Sequence, residues 1–584
     1  EYRGYDSAGM AIINKNSTLK YAKVAGKVED LERKLTKQKL EGTIGIAHTR
    51  WATHGKPVVR NAHPHIVGNS IAIVHNGIID NFDTLRQDLI KKGVKFQSDT
   101  DSEIIVHLVH RYLENHNMMQ ALRYLKKKLT GSYALLILDK SSDALFAFCC
   151  GLPLVVGKGI EENFIASDSL AFSSFAQKIC HLQKGDIAIV TKDNVNIINE
   201  SGRTVAREII TVDNVLHDLD KGSYDHYMLK EIHQQPDVIT ETLNQLLRDD
   251  CVIVDSFGAA AAEVLEKVEH IRICACGTSY HAGLIAKHWL EEYAGIHCDV
   301  EIASELRYRK HIMPRNSLFL AISQSGETAD TLLALKQAKE RDYLGTMCIS
   351  NMPYSSMVQS ADMSFITHAG IEKSVASTKA FSTQLVALLS LTILIMQIKK
   401  HSKKEIAAFT KVLTTIPKTV QAFLKTEKAI KQFASKIVAY KNVLFLGRGI
   451  NYPVVLEGSL KLKEISYIHA EAYPAGELKH GPLALVDRKM PVVVLLPEDN
   501  LTEKTISNIQ EVLARGGKIF VFTTKRVAKK LSAECNVVIV PKVDALIMPV
   551  AYTIPLQLLA YHVAVLKGTD IDHPRNLAKS VTVE

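Results

Sequence analysis

No paired Cys-x-x-Cys spacing occurs among the nine cysteines of this sequence, and their number is odd. That argues against a disulfide scaffold or a cysteine-ligated zinc site and points to a reduced, cytoplasmic compartment. Long apolar runs are also lacking. The longest, from Leu385 to Ile398, falls short of the roughly 18 to 20 residues that span a bilayer, so no transmembrane segment is expected. Charge of one sign is nowhere concentrated. The net +9 is spread over both halves, and basic runs such as Lys399-Lys400 and Lys403-Lys404 are short, which speaks against a nucleic-acid partner.

What remains is an ordinary globular composition, 47% hydrophobic and 23% charged over 584 residues. A chain this long exceeds one hydrophobic core, so two to four domains are expected. From Ser7 to about Val212, short β-type runs such as Met10–Ile13, Gly45–Ala47, Ile71–His75, Tyr133–Leu138 and Ile187–Val190 alternate with turns. Amphipathic helices over Phe82–Lys92 and Asp101–Asn115 interrupt them, which reads as an α+β domain. Between about Val212 and Pro236 the periodicity fades into a linker.

Beyond the linker, apolar strands alternate with long helices. Ile271–Ala275, Leu318–Ile322 and Met347–Ser350 are followed about 170 residues later by Val443–Leu446, Val492–Leu496 and Ile519–Phe522. This predicts two duplicated, doubly wound parallel α/β subdomains, with ligands at the carboxyl ends of their strands.

Two hydroxyl-rich turns follow strands of the first set, Cys276-Gly277-Thr278-Ser279 and Ser323-Gln324-Ser325-Gly326-Glu327-Thr328. Each leads into a helix, whose free N–H groups and positive dipole end suit a phosphate; a plain Ser/Thr cap is the alternative use. With Val375-Ala376-Ser377-Thr378-Lys379, Leu460-Lys461-Leu462-Lys463-Glu464, Gly476 to Pro482 and Pro574 to Glu584, these turns resemble the sugar-isomerase (SIS) half of the glucosamine-6-phosphate synthases. The resemblance covers essentially the whole chain. It implies that Thr278, Ser279, Ser323, Gln324, Ser325 and Thr328 hold the sugar phosphate, while Val375, Ser377 and Ala578 meet the sugar.

By the same resemblance, Lys579 forms an imine with the ketose, His480 assists ring opening, and Glu464 moves a proton between C1 and C2. Each role has a chemical reason. An amine attacks a carbonyl that an acid/base group must first unmask, and a carboxylate then shuttles the proton. Lys461 lies three residues before Glu464, on the same helix face, and can bias its charge. Without such neighbours, a Lys and a Glu at this spacing are a surface ion pair, His480 a turn histidine, and Lys579 a solvated tail charge.

The N-terminal half resembles the glutamine amidotransferases that use an N-terminal nucleophile. The carriers are Arg3 to Gly9, His48-Thr49-Arg50-Trp51-Ala52-Thr53-His54-Gly55, His75-Asn76-Gly77 and Asp99-Thr100-Asp101. The glutamine site implied comprises Arg50, Trp51, Thr53, His54 and Asp101, with Arg50 suited to an α-carboxylate and Asp101 to an α-ammonium. Asn76 and the Gly77 N–H suit an oxyanion hole; a bare Asn-Gly is equally a hairpin turn. Trp51 resembles a gate on an internal ammonia route.

The family's nucleophile is the cysteine at the mature N-terminus, yet no cysteine precedes Cys149, and by the family's spacing about two dozen residues are missing. Glutamine hydrolysis is expected to be absent if the chain starts at Glu1, and present if a segment precedes it. The short stretch between Val190 and Val212 resembles bacterial members.

The expected organisation is a glutaminase over 1–216, a linker over 217–235, SIS subdomains over 236–420 and 421–570, and a tail over 571–584. The expected partners are fructose 6-phosphate, glutamine and a second copy of the chain, without membrane, nucleic acid, metal or redox cofactor. A different amidotransferase and a non-catalytic phosphosugar sensor are the competing readings. The joint presence of Glu464, His480 and Lys579 counts against the sensor.

Overall fold

The computed structural model describes residues 4–52, 55–172, 174–176, 178–211 and 220–582. They divide into two compact units, one holding residues up to Asp220 together with the tail from Ser580, the other Lys221–Lys579.

In the first unit, β1 (Ser7–Ile13) pairs antiparallel with Leu19–Ala25 on one side and with β2 (Ile44–Arg50) on the other. The longest strands of a second, antiparallel sheet are β3 (Ile71–Ile79) and β4 (Gly131–Asp139). Helix α1 (Ser102–Leu113) packs over that sheet through Ile105, Leu108 and Val109. Asn76 and Gly77 lie inside β3, paired with Ala134 and Tyr133, so the hairpin-turn reading of Asn-Gly is wrong. Gly77 has φ +113°, and a Cβ there would fall 2.1 Å from the Ser132 carbonyl oxygen. The close strand crossing, not a turn, requires glycine.

The second unit holds two parallel five-stranded sheets of the same order. The first runs β6 (His297–Ile302), β5 (His270–Ala275), β7 (Ser317–Ser323), β8 (Gly345–Ser350), β9 (Met363–Ile366). The second runs β11 (His469–Pro474), β10 (Asn442–Gly447), β12 (Pro491–Leu496), β13 (Lys518–Thr523), β14 (Asn536–Ile539). Central strands such as β5 and β12 are buried along their whole length, because helices cover both faces of a doubly wound sheet. The elements that position chemistry are α2 (Gly277–Glu292), α3 (Ala329–Lys339), α4 (Lys379–Ile398), α5 (Asn451–Ser466) and α6 (Met548–Lys567).

Two sequence expectations need correction here. Tyr227–His233, inside the expected linker, is a helix whose Met228 and Ile232 are fully buried in the core of the second unit. Its few apolar residues were too short a run to show a period. Also, α4 and the helical run Ala545–Lys567 are long and apolar enough to cross a membrane. Both are buried among the other elements of this unit; they are apolar all round because they form the centre of its core.

Candidate functional site

The first unit contains a pocket of about 400 Å³ lined by Arg50, Trp51, Asn76, Gly77, Asp101 and Ser580, among others. Five of the residues expected to handle glutamine thus meet in one cavity. Thr53 and His54 lie outside the described residues. Arg50 ends β2 and is buried. Asp101 precedes α1 and accepts the Ile79 N–H at 3.0 Å, which ties it to the end of β3.

His48 Nε2 donates to Asn76 Oδ1 at 2.8 Å, committing the amide oxygen and leaving the NH₂ end of Asn76 as the donor for an oxyanion. Three buried imidazoles and the half-buried ring of His48 support this wall. The His48 and His63 rings lie 4.2 Å apart, and His65 and His75 follow. Burial, partly offset by the Asn76 bond, lowers His48 to about 4. Burial first, then neighbouring charges, lowers His63 and His65 as well. These rings are neutral at pH 7 and act as fixed hydrogen-bonding groups. Nothing in the sequence spacing revealed them as a cluster, because they come from three separate segments.

In the second unit the expected phosphate turns stand at the carboxyl ends of β5 and β7. Ser279 lies in the first turn of α2 and is buried. In the β7 turn, Ser323 Oγ and Thr328 Oγ1 are 2.9 Å apart. Ser323 Oγ also accepts the Gly326 N–H at 3.1 Å, and Ser325 Oγ the Glu327 N–H at 3.2 Å. Gln324 is half-buried. Gly326 has φ +64°, and an added Cβ would sit 2.0 Å from Ser355 Oγ. The loop is therefore a rigid concave turn of hydroxyls and N–H groups at the start of α3.

Lys461 and Glu464 are not a surface pair. On α5, Lys461 Nζ lies 2.6 Å from Glu464 Oε2 and 3.3 Å from Glu457 Oε1, and the Lys461 and Glu457 side chains are each only 1% exposed. Lys461 Nζ also donates to Thr278 Oγ1 at 3.1 Å, and Thr278 donates to Glu457 at 3.0 Å. The Glu457 carboxylate receives His281 Nδ1 at 2.8 Å. Lys461 is held charged, its affinity for a proton raised by the two carboxylates against the cost of burial. Glu464 is raised too, for a different reason. Burial raises its pKa and Lys461 only partly restores it, which suits a group that must both take and give a proton.

Lys579 is likewise no solvated tail charge. Its Nζ is ion-paired with Glu372 Oε2, and the two side chains are 4% and 0% exposed. Glu372 also accepts Ser377 Oγ at 2.8 Å and the N–H groups of Thr378 and Ala380 at 2.9 and 3.0 Å. Burial alone would raise this carboxyl, but Lys579 and these donors hold it down at about 2. Breaking such a buried pair by removing one partner typically costs about 3–5 kcal/mol. The Val375 N–H donates to the Asp572 carbonyl at 3.1 Å, tying the sugar-side loop to the segment that carries Ala578 and Lys579. Ala578 is half-buried.

His480 is not brought into these clusters. It ends a short 3-10 helix after β11, is exposed, and makes no hydrogen bond with the Lys461 or Lys579 groups. Glu372, Glu457, Glu231 and His281 were missed by sequence reasoning. Glu231 is buried on the Tyr227–His233 helix and accepts the Ser374 N–H at 3.2 Å. Burial, then the negative Glu372 nearby, raises it to about 8.

A glutamine pocket on an α+β unit, and in the same chain a duplicated α/β unit with a phosphate-cradling turn and buried amine and carboxylate pairs, define a glutamine-dependent sugar-phosphate enzyme. Comparison with known proteins supports both parts. Residues 48–173 match a glutamine amidotransferase domain, and residues 264–394 and 436–567 each match an SIS domain. Glutamine–fructose-6-phosphate aminotransferases (isomerizing) from Francisella tularensis, Pseudomonas putida and Legionella pneumophila are each 50% identical over 100% of this chain and 96% of their own length. The chain belongs to this aminotransferase family.

Among solved structures, the C-terminal domain of the glucosamine-fructose-6-phosphate aminotransferase from Francisella tularensis matches 61% of this chain and 100% of its own, at 51% identity and a TM-score of 0.60. A putative tagatose-6-phosphate ketose/aldose isomerase from Clostridium novyi NT, 18% identical with a TM-score of 0.51 over 60% of this chain and 91% of its own, shares the fold alone.

Proposed function

We propose that the protein makes D-glucosamine 6-phosphate and L-glutamate from D-fructose 6-phosphate and L-glutamine, opening amino-sugar synthesis. The carrying observation is the buried Lys579–Glu372 pair in the same unit as the hydroxyl-lined Ser323–Thr328 turn and the Lys461–Glu464 pair. A sensor needs the phosphate turn alone; two buried lysine–carboxylate pairs cost desolvation that only chemistry or tight positioning justifies.

The steps follow from the groups. The phosphate sits on the Ser279 and Ser323–Thr328 turns. With the ring open, the Lys579 amine, having passed its proton to a neighbouring acceptor, adds to the C2 carbonyl and expels water to form an imine. Ammonia released from glutamine displaces Lys579 from that imine. Glu464 then takes a proton from C1 and returns it to C2, which turns the ketose skeleton into the aldose. Ammonia equilibrated with water is mostly protonated and non-nucleophilic, so internal transfer past Trp51 is the economical route.

The finer reading is an N-terminal-nucleophile glutaminase in a cytoplasmic homodimer, acting on soluble substrates without nucleic acid or membrane. In this dimer His480 opens the sugar ring in the neighbouring subunit's site. Its exposure and its distance from any hydrogen bond to Lys461 or Lys579 support that assignment. Mixing inactive His480→Ala and Lys579→Ala chains restores part of the activity if the site is shared, and none if each chain works alone. For the reaction itself, incubation with fructose 6-phosphate alone yields glucose 6-phosphate, and added ammonium salt yields glucosamine 6-phosphate. A sensor gives neither.

A further inference from the structure

The opposite end of the first parallel sheet carries a cluster that the proposed reaction does not use. His270 opens β5 and His297 opens β6, paired in register, and Arg272 pairs with Asp299 two residues on. With a side-chain period of two, all four project from the same face of the sheet. The two imidazole rings stack with centroids 5.2 Å apart. One ligand atom each from His270, His297 and Asp299 falls within 4.8 Å of the others.

Counting protons at His270 shows what this cluster asks for. Ser317 Oγ donates its single proton to the Pro314 carbonyl at 2.6 Å, so its 2.9 Å contact with His270 must be Nδ1–H donating to the hydroxyl oxygen. The neutral ring therefore carries its lone pair on Nε2. That nitrogen faces Asp299 Oδ2 at 3.1 Å, lone pair against carboxylate oxygen. Arg272 already touches the same carboxylate oxygen, and a cation between Nε2 and Oδ2, either a proton on the ring or a metal ion, relieves the remaining opposition.

The 3.1 Å spacing of Nε2 and Oδ2 admits the second option as well as the first. Ligand atoms bound tetrahedrally to zinc at about 2.0–2.1 Å are about 3.3 Å from one another. His297 is exposed and needs only a side-chain rotation to close the third position.

We infer that His270 Nε2, His297 and Asp299 form a site for a divalent transition ion of the zinc class, with water completing the shell. The Ser317 bond is the outer contact that fixes the tautomer and aims the ring, as such contacts do at histidine-ligated metals. Arg272 tunes the site. Its guanidinium is anchored by Tyr343 Oη at 3.2 Å and the Ile312 carbonyl at 2.9 Å, and it holds Asp299 Oδ2 at 3.2 Å. It thereby orients the carboxylate while its charge weakens cation binding. Occupancy joins the starts of β5 and β6 without touching the carboxyl-end loops, so the ion is structural.

The test uses the full chain, stripped with a chelator and titrated with zinc against a chromophoric competitor, compared with His297→Ala, His297→Gln and Asp299→Asn. The expected result is one equivalent bound in the wild type whose affinity falls at least tenfold in every variant. Zinc should also raise the wild-type melting temperature and block carbethoxylation of His297, while amino-sugar formation from ammonia stays unchanged in the His297 variants. Equal zinc stoichiometry and affinity in wild type and variants, or no equivalent bound by the wild type, overturns the proposal and leaves His270 as an imidazolium paired with Asp299. His297 is exposed, so its two variants stay folded and keep the comparison decisive if Asp299→Asn does not.

Discussion

The two five-stranded sheets share one strand order and even one left-handed glycine, Gly277 after β5 and Gly449 after β10, both at φ +53°. Yet their loops do different work. After β7 stands Ser323-Gln324-Ser325-Gly326, hydroxyls and N–H groups around an open turn. After β12, at the matching place, stands Leu496-Pro497-Glu498-Asp499. There Glu498 is ion-paired with Arg526 and Lys542, and Asp499 accepts the Leu501 N–H at 2.8 Å. A turn already filled by two carboxylates repels phosphate.

The second half contributes through its first helix instead. Helix α5 brings Glu457 and Lys461 onto Thr278 and His281 of α2, its counterpart in the first half. Duplication supplied two equal frames, of which one keeps the anion cradle and the other the proton chemistry.

That division of labour can be broken at several points. The largest effect is expected from Lys579→Ala or Glu464→Gln, each lowering glucosamine 6-phosphate formation from ammonia by about a thousandfold, roughly 4 kcal/mol in the barrier. Steady-state rates with added ammonium salt, which bypass glutamine, measure it. Next comes Ser325→Glu, which gives the first half the acid found at Glu498 of the second. The KM for fructose 6-phosphate should rise about a hundredfold through like-charge repulsion, with kcat at saturation changed much less.

Gly326→Ala is expected to cost about 2 kcal/mol in urea unfolding, from a left-handed φ and a Cβ aimed at Ser355. The smallest effect is a pH shift. Burial raises Glu464 and Lys461 lowers it, and the base must be ionised, so activity is lost as pH falls through a pKa above the ordinary carboxylate value. Lys461→Met removes the lowering charge, moves this acid limb to higher pH and slows the reaction severalfold at neutral pH. A kcat–pH profile with unchanged limb would show that Lys461 does not bias the base.

The same comparison explains what the sequence disclosed. Central strands β5, β7, β8, β10, β12 and β13 were legible because burial on both faces makes them continuous apolar runs. The edge strands β6, β9, β11 and β14 were not: β6 and β11 carry polar residues such as Asp299 and Glu471, and β9 and β14 have only four residues each. Edge positions demand neither length nor apolarity.

In the site, the hydroxyl turns showed themselves through local order, strand then Ser/Thr/Gly then helix. The long-range partners did not, since Glu372 meets Lys579 across 207 residues and Thr278 meets Glu457 across 179. Fold brings these groups together, and no local spacing encodes them. Asn76-Gly77 misled as a turn because the glycine answers a strand crossing at Ser132, not a chain reversal.

Covalent capture at Lys579 is the most direct test of the account. Borohydride reduction of the protein with fructose 6-phosphate, followed by peptide mass spectrometry, should place a reduced hexose-phosphate adduct on Lys579 in the wild type and none on Lys579→Arg. Equal amino-sugar formation from ammonia by Lys579→Arg, or an adduct on another lysine alone, would contradict it.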